Sequence, residues 1–266
     1  MIVLMSAFLL LSAFSCGGGN KANSTSEQSE ETAVNVPQFD ADSAYLYVKN
    51  QVDFGPRVPN TKEHVACGNY LAGQLEAFGA QVTNQYADLI AYDGTLLKAR
   101  NIIGSYKPES KKRIALFAHW DTRPWADNDP DEKNHNTPIL GANDGASGVG
   151  ALLEIARLVN QQQPELGIDI ILLDAEDYGA PQFYTGQHKE EFWCLGSQYW
   201  ARNPHVQGYN ARFGILLKSS AILASMANTK FTPFSFAFFI RSSARSSLSS
   251  SQIDLPILPP IAFVKV

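Results

Sequence analysis

The sequence predicts an α/β protein, a three-layer α/β/α sandwich around a mixed, mostly parallel sheet that is incomplete at its C-terminus. Three observations lead there. Arg113 to His119 and Ile168 to Asp174 are nearly unbroken apolar runs, the pattern of strands covered on both faces. Between them, Ala146 to Gln163 carries Val149, Leu152, Leu153, Ala156 and Val159 at helical spacing. A strand, a helix and a strand in that order make a right-handed crossover between parallel strands.

The other elements follow from local signals. Asp40 is placed to cap a helix whose apolar face includes Ala44, Tyr45, Tyr47 and Val48, and Gly55-Pro56 ends it. Thr61 caps a second helix with Val65, Tyr70, Leu71 and Leu75 toward the buried side and Gly79 as its stop. Two helices ahead of the first strand would cover one sheet face. Strands are predicted at Gln81 to Leu89, Lys98 to Tyr106 and Arg113 to His119, with turns at Tyr92 to Gly94 and Lys107 to Lys112. Gly196 to Asn203 reads as a helix, and Ala211 to Leu217 as the last strand.

At Lys218 the character of the chain changes. All 19 glycines and all 5 histidines precede it, and Asp254 is the one acidic residue beyond it. Serine-rich runs alternate there with apolar and proline clusters that have neither period nor caps, so local sequence and global fold no longer agree. The expected organisation is a signal peptide with a lipid-attachment motif in residues 1–16, a flexible tether in 17–38, a catalytic domain in 39–217 and an aberrant, frameshift-like tail in 218–266.

The apolar residues 1–16 are too short to span a bilayer and end in Cys16, the outline of an export signal whose cysteine takes the lipid. The polar stretch after it suits an anchor's tether. The expectation is an exported monomer, held to the membrane by a lipid anchor only and facing the periplasm or the cell surface. A net charge of −5 leaves no basic surplus for a phosphate backbone, so nucleic acid is excluded as a partner class. Cys67 and Cys194 either pair or stay as buried free thiols.

The chemistry concentrates where strands end. Asp121 follows His119 by two residues, Asp144 sits in a Gly-rich turn before the helix at Ala146, and Asp174, Glu176 and Asp177 close the run from Ile168. Parallel strands gather such ends along one edge. Carboxylates gathered there repel unless a cation or a proton intervenes, and a divalent metal would relieve the repulsion. On an extended backbone Glu176 and Asp177 would point opposite ways, one toward a metal and one toward substrate. Bland alternatives stand beside this reading: Asp144 as a helix cap, Glu176 and Asp177 as solvated loop acids, and Asp127 to Lys133 as an exposed charged loop. Trp120, Trp125, Phe183, Tyr184 and Trp193 either wall a substrate pocket or pack in the core.

Through FGPRVPNT, LKARNIIGSY, AHWDTRP, GANDGASG, LLDAEDYG and WCLGSQYWARNPH, the chain from about Phe39 to Leu217 resembles the M28 zinc metallopeptidases, and among them the bacterial glutaminyl cyclases of Bacteroidetes. The resemblance implies a zinc exopeptidase-like fold, Zn2+ bound by Asp144 and Asp177, and Glu176 as the general acid/base. It also implies His119 as a second-metal or supporting residue, Asp121 as its partner and, more loosely, Trp193 in substrate binding. The implied reaction converts the N-terminal Gln of peptides or proteins to pyroglutamate with release of ammonia. Two alternatives accompany it: an M28-type aminopeptidase, and an inactive peptide-binding lipoprotein. The last arises because Lys218 stands where the family has an aspartate, and no histidine follows His205 to supply the family's third zinc ligand.

Overall fold

The computed structural model describes residues 36–218 and the short strand Ala262–Val264. Residues 1–35, including Cys16, and most of the expected tail lie outside the described residues.

Helix α1 (Ala41–Asp53) starts at Asp40, whose carboxylate accepts from the backbone N–H groups of Asp42 and Ser43. Helix α2 (Lys62–Ala77) starts at Thr61, whose hydroxyl accepts from His64 N. It closes on Ala80 N donating to Leu75 O and Gly79 N to Glu76 O, the paired bonds of a Schellman end. Both helix starts fall where the sequence places them, but two facing assignments do not hold. Tyr45 is 68% and Val65 57% exposed, whereas Gln51 and His64 are buried. Ala44, Val48, Leu71 and Leu75 are buried as expected, so each stripe keeps its place and only its edge residue differs.

Strands β1 (Gln81–Ile90), β2 (Leu96–Tyr106), β3 (Arg113–His119), β4 (Gly167–Leu173), β5 (Phe213–Leu216) and β6 (Ala262–Val264) form one sheet in the order β1-β2-β4-β3-β5-β6. The β3–β4 and β3–β5 ladders are parallel, and the β1–β2, β2–β4 and β5–β6 ladders antiparallel. The mixed sheet is thus parallel only at its centre. Helix α3 (Ala146–Gln161) supplies the long crossover that a parallel β3–β4 pair requires, while the five-residue link from β1 to β2 permits only a hairpin. The strand after Ala211 is not the last, since β6 pairs with β5 in the register Gly214 to Val264.

Side chains alternate across β3 and β4. Leu116, Ala118, Ile168, Ile170 and Leu172 join Leu71, Leu75, Val149, Leu152 and Leu153 in the core beneath α1, α2 and α3. Ala115, Phe117, Ile171 and Leu173 face the other way and pack against Trp200 of α4 (Leu195–Arg202). These are the three layers. A Cβ at Gly148 of α3 would collide with the carbonyl oxygen of Leu217, so glycine there lets the helix and the chain leaving β5 approach closely.

Candidate active site at the carboxyl edge of the sheet

In the parallel register His119 lies opposite Leu173, so the chain leaves β3 and β4 at the same rim. α3 begins at that rim, after Gly145, which takes φ 93°. Asp144 does not cap the helix, which has no side-chain cap bond; its Oδ1 lies 2.9 Å from His119 Nε2. That excludes the bland reading of Asp144.

Beyond β4 the chain does not stay extended. Asp174 is fully buried and accepts from the backbone N–H groups of Arg100 (2.6 Å) and Ala175 (2.7 Å), with His64 Nε2 at 3.0 and 2.9 Å from its two carboxylate oxygens. Ala175 then turns left-handed, at φ 51°. The next two amides are captured by one carboxylate: Glu176 N donates to Asp121 Oδ1 at 3.1 Å and Asp177 N to Asp121 Oδ2 at 3.0 Å. The expected opposite facing of Glu176 and Asp177 is therefore overturned. Ligand atoms of His119, Glu176 and Asp177 all lie within 4.8 Å of one another, because Asp121 curls the backbone about its two oxygens.

The electrostatics match this geometry. Burial pushes the Asp121 carboxyl up, but His119 and the two amides outweigh it and hold it below the ordinary value. Asp144 is held low chiefly by its bond to His119. Burial would depress the His119 imidazole; the charge of Glu176 and the nearness of Asp121 and Asp144 instead raise it well above its usual range. Asp177 goes the other way. Burial, with Asp121, Asp144 and Glu176 adding repulsion against the pull of His119, lifts its carboxyl to about 7. The cluster thus holds more negative charge than the groups around it neutralise.

Supporting residues come from regions that sequence reasoning left without a role. His64 stacks on Trp120 with ring centroids 4.3 Å apart, and Trp120 Nε1 donates to Arg100 O. Trp120 is therefore core packing beneath the site rather than a pocket wall. Arg57, fully buried, donates to the carbonyls of Trp120, Leu140 and Gly141 and ties the long loop after β3 to the domain. Its signal was present in the FGPRVPNT motif. Asp127 is buried, not exposed as expected, because it pairs with Arg123. The Arg123 guanidinium also lies 4.7 Å from the centre of the half-buried Trp193 ring. Trp125 and Tyr184 pack on Tyr92. Cys67 and Cys194 are free thiols, each pushed up to about 12 by burial, which settles the pairing alternative.

A cavity of about 500 Å³ opens on the α4 side of the rim, walled by Phe117, Leu173, Cys194 and Trp200, with Glu176 and Lys218 bordering it. Lys218 Nζ is 3.0 Å from Glu176 Oε1.

A mixed sheet between helical layers, with an imidazole and several carboxylates at the carboxyl rim of its parallel centre, is the arrangement of a zinc exopeptidase-like α/β domain. Residues 101–233, half of the chain, match peptidase family M28, and the chain belongs to that family. It is 94% identical to the glutaminyl cyclase of Bacteroides thetaiotaomicron over 70% of its own length and 63% of that chain, with a TM-score of 0.69. It is equally 94% identical, with a TM-score of 0.69 over 70% of its own length and 64% of that chain, to a structure from the same organism described as a leucine aminopeptidase precursor. It is 58% identical to the glutaminyl cyclase of Tannerella forsythia, with a TM-score of 0.67, over 69% of this chain and 62% of that one. The chain thus spans less than two thirds of each of these structures.

The donor chemistry fits a zinc-type metal. The His119 imidazole and the carboxylates of Glu176 and Asp177, whose ligand atoms lie within 4.8 Å of one another, are nitrogen and oxygen ligands of the kind zinc takes; Asp144 is outside that group and adjoins it through its bond to His119. The raised Asp177 carboxyl marks a deficit of positive charge there.

Proposed function

We propose that this domain is built to catalyse zinc-dependent cyclisation of N-terminal glutamine in peptides and proteins, a glutaminyl-peptide cyclotransferase reaction. The observation that carries the proposal is the 94% identity to a glutaminyl cyclase over 70% of this chain. In this reading Asp144 and Asp177 hold the metal, His119 steadies Asp144 through Nε2, and Asp121 fixes the backbone of Glu176 and Asp177. Zinc held there supplies Lewis-acid polarisation of the glutamine γ-carbonyl.

Glu176 performs the proton work. As the substrate α-amine attacks the γ-carbon, a C–N bond forms, and Glu176 accepts a proton from that amine. The same proton is delivered to the side-chain nitrogen as its C–N bond breaks, so ammonia leaves and a pyroglutamyl terminus remains. The cavity beside Glu176, walled by Phe117, Leu173 and Trp200, is proposed to receive the substrate. Trp193, ordered by Arg123, is proposed to flank the substrate. The chain is proposed to act as an exported monomer anchored through Cys16; among the described residues no helix is long and apolar enough to cross a membrane.

The aminopeptidase reading has its own observation: His119 belongs to the compact donor group, as a second metal would require. Product analysis separates them. At saturating zinc, a peptide beginning with glutamine is expected to yield ammonia and a pyroglutamyl peptide, and Glu176→Gln is expected to lower kcat by about 10²- to 10⁴-fold. Free amino acids as product would replace the cyclase reading with the peptidase; no turnover of either kind would leave the peptide-binding alternative.

A further inference from the structure

Lys218 stands at the carboxylate rim with its backbone fixed from two sides. The pairing of β5 with β3 continues one residue past the strand, Leu217 N donating to Phe117 O at 2.8 Å, and the Leu217 carbonyl is lodged against Gly148 of α3. Leu217 itself is buried. The next residue therefore has to emerge at the rim beside the end of β3, and its side chain reaches Glu176, which is 5% exposed. The ammonium is 3.0 Å from Glu176 Oε1. Asp144, from the turn before α3, and the thiol of Cys194 also lie near the ammonium, and Asp177 follows Glu176 in the chain.

We propose that Lys218 is a built-in cation: its ammonium sits on Glu176 at the edge of the carboxylate cluster and competes with a divalent metal for the cluster's negative charge, so that zinc binds this chain more weakly while Lys218 is seated. Resting on the zinc reading above, this specifies how access to that site is controlled. The physical basis is charge compensation. Closely spaced carboxylates need a positive partner, and a tethered ammonium supplies one at the cost of its own rotamer freedom alone. A zinc ion arriving at the cluster gains the attraction of the carboxylates but meets the repulsion of the ammonium unless the lysine swings out into the cavity it borders. With Lys218 seated, Glu176 is also engaged and unable to accept a substrate proton.

The test is zinc affinity measured by competition with a chromophoric chelator on the full chain and on three variants. Lys218→Met keeps the aliphatic stem and removes the charge; Lys218→Gln does so with a polar end; Lys218→Arg keeps the charge. The two neutral variants are expected to bind zinc at least about ten-fold more tightly than the wild-type chain, and Lys218→Arg within about two-fold of it. Melting in EDTA is the second readout, and here the neutral variants are expected to melt below wild type, since the cluster loses its counter-charge. Equal zinc affinity of wild type and both neutral variants overturns the proposal while leaving the zinc site standing. Failure of every form to bind zinc overturns the zinc reading, and the competition with it. Circular dichroism confirms that each variant is folded before affinity is compared.

Discussion

The two ends of β3 hold buried carboxylates in opposite electrostatic states. At its start, Asp169 of β4 receives Arg113 through two nitrogens, together with the hydroxyls of Ser105 and Tyr209. Burial pushes its carboxyl up, yet these donors outweigh burial and hold it below the ordinary value. Past the other end, Asp177 takes the Arg123 guanidinium on its backbone carbonyl and not on its carboxylate, which pairs with no guanidinium among the described residues and is lifted to about 7 by burial and its acidic neighbours. The same sheet thus satisfies one buried acid and leaves another in surplus. Charge that is fully matched locks a structure, whereas charge left over is available to a metal, a proton or a substrate. This contrast separates the structural cluster from the functional one without reference to any relative.

The sharpest way to break the comparison is to unmatch the matched end. Arg113→Met leaves Asp169 buried without its guanidinium, and the expected loss is about 3–5 kcal/mol of unfolding free energy, read from the urea midpoint at neutral pH. A loss below about 1 kcal/mol would show that the start of β3 is not the locked end. The reverse experiment is made at the rim. Asp177→Asn removes one member of the surplus, so in EDTA the variant is expected to gain about 1–2 kcal/mol over wild type while losing the stabilisation that added zinc confers. Stability lost in EDTA would mean that Asp177 is matched after all. Gly148→Ala is expected to fall between these in size but to act by sterics, costing about 1–3 kcal/mol as α3 is pushed off the Leu217 carbonyl.

How much of this was legible beforehand follows from the kind of signal each feature leaves. β3 and the start of α3 were readable to the residue, since a fully buried strand and a Gly-rich helix start are local patterns. The helix caps at Asp40 and Thr61 were readable for the same reason. The antiparallel outer ladders and β6 were not, because strand order depends on pairing between distant segments. At the site, the residues His119, Asp121, Asp144, Glu176 and Asp177 were legible as a group. Their roles toward one another were not. An extended backbone puts Glu176 and Asp177 on opposite sides, and only the left-handed turn at Ala175, held by Asp121, brings them together. Alanine gives no hint of that conformation. Lys218 was visible as a departure, but its ion pair to Glu176 depends on how β5 is seated between β3 and α3.

The smallest expected effect lies in acid and tests the matched end again. Because the Asp169 carboxyl is lower in the folded chain than its ordinary value of 3.8, its contribution to stability is fully present above that value and is lost as pH falls below it, toward the folded-state value. Asp169→Asn carries no such proton-linked term. Relative to wild type, its unfolding free energy is expected to be lower at neutral pH, where the ion pair is missing, and the gap is expected to narrow as the pH is taken below about 3.8. Urea melts at a series of acid pH values measure the gap directly. A gap that stays constant through that range would mean Asp169 is already protonated or unpaired in the folded chain. The contrast between the two ends of β3 would then have to be redrawn on Asp177 alone.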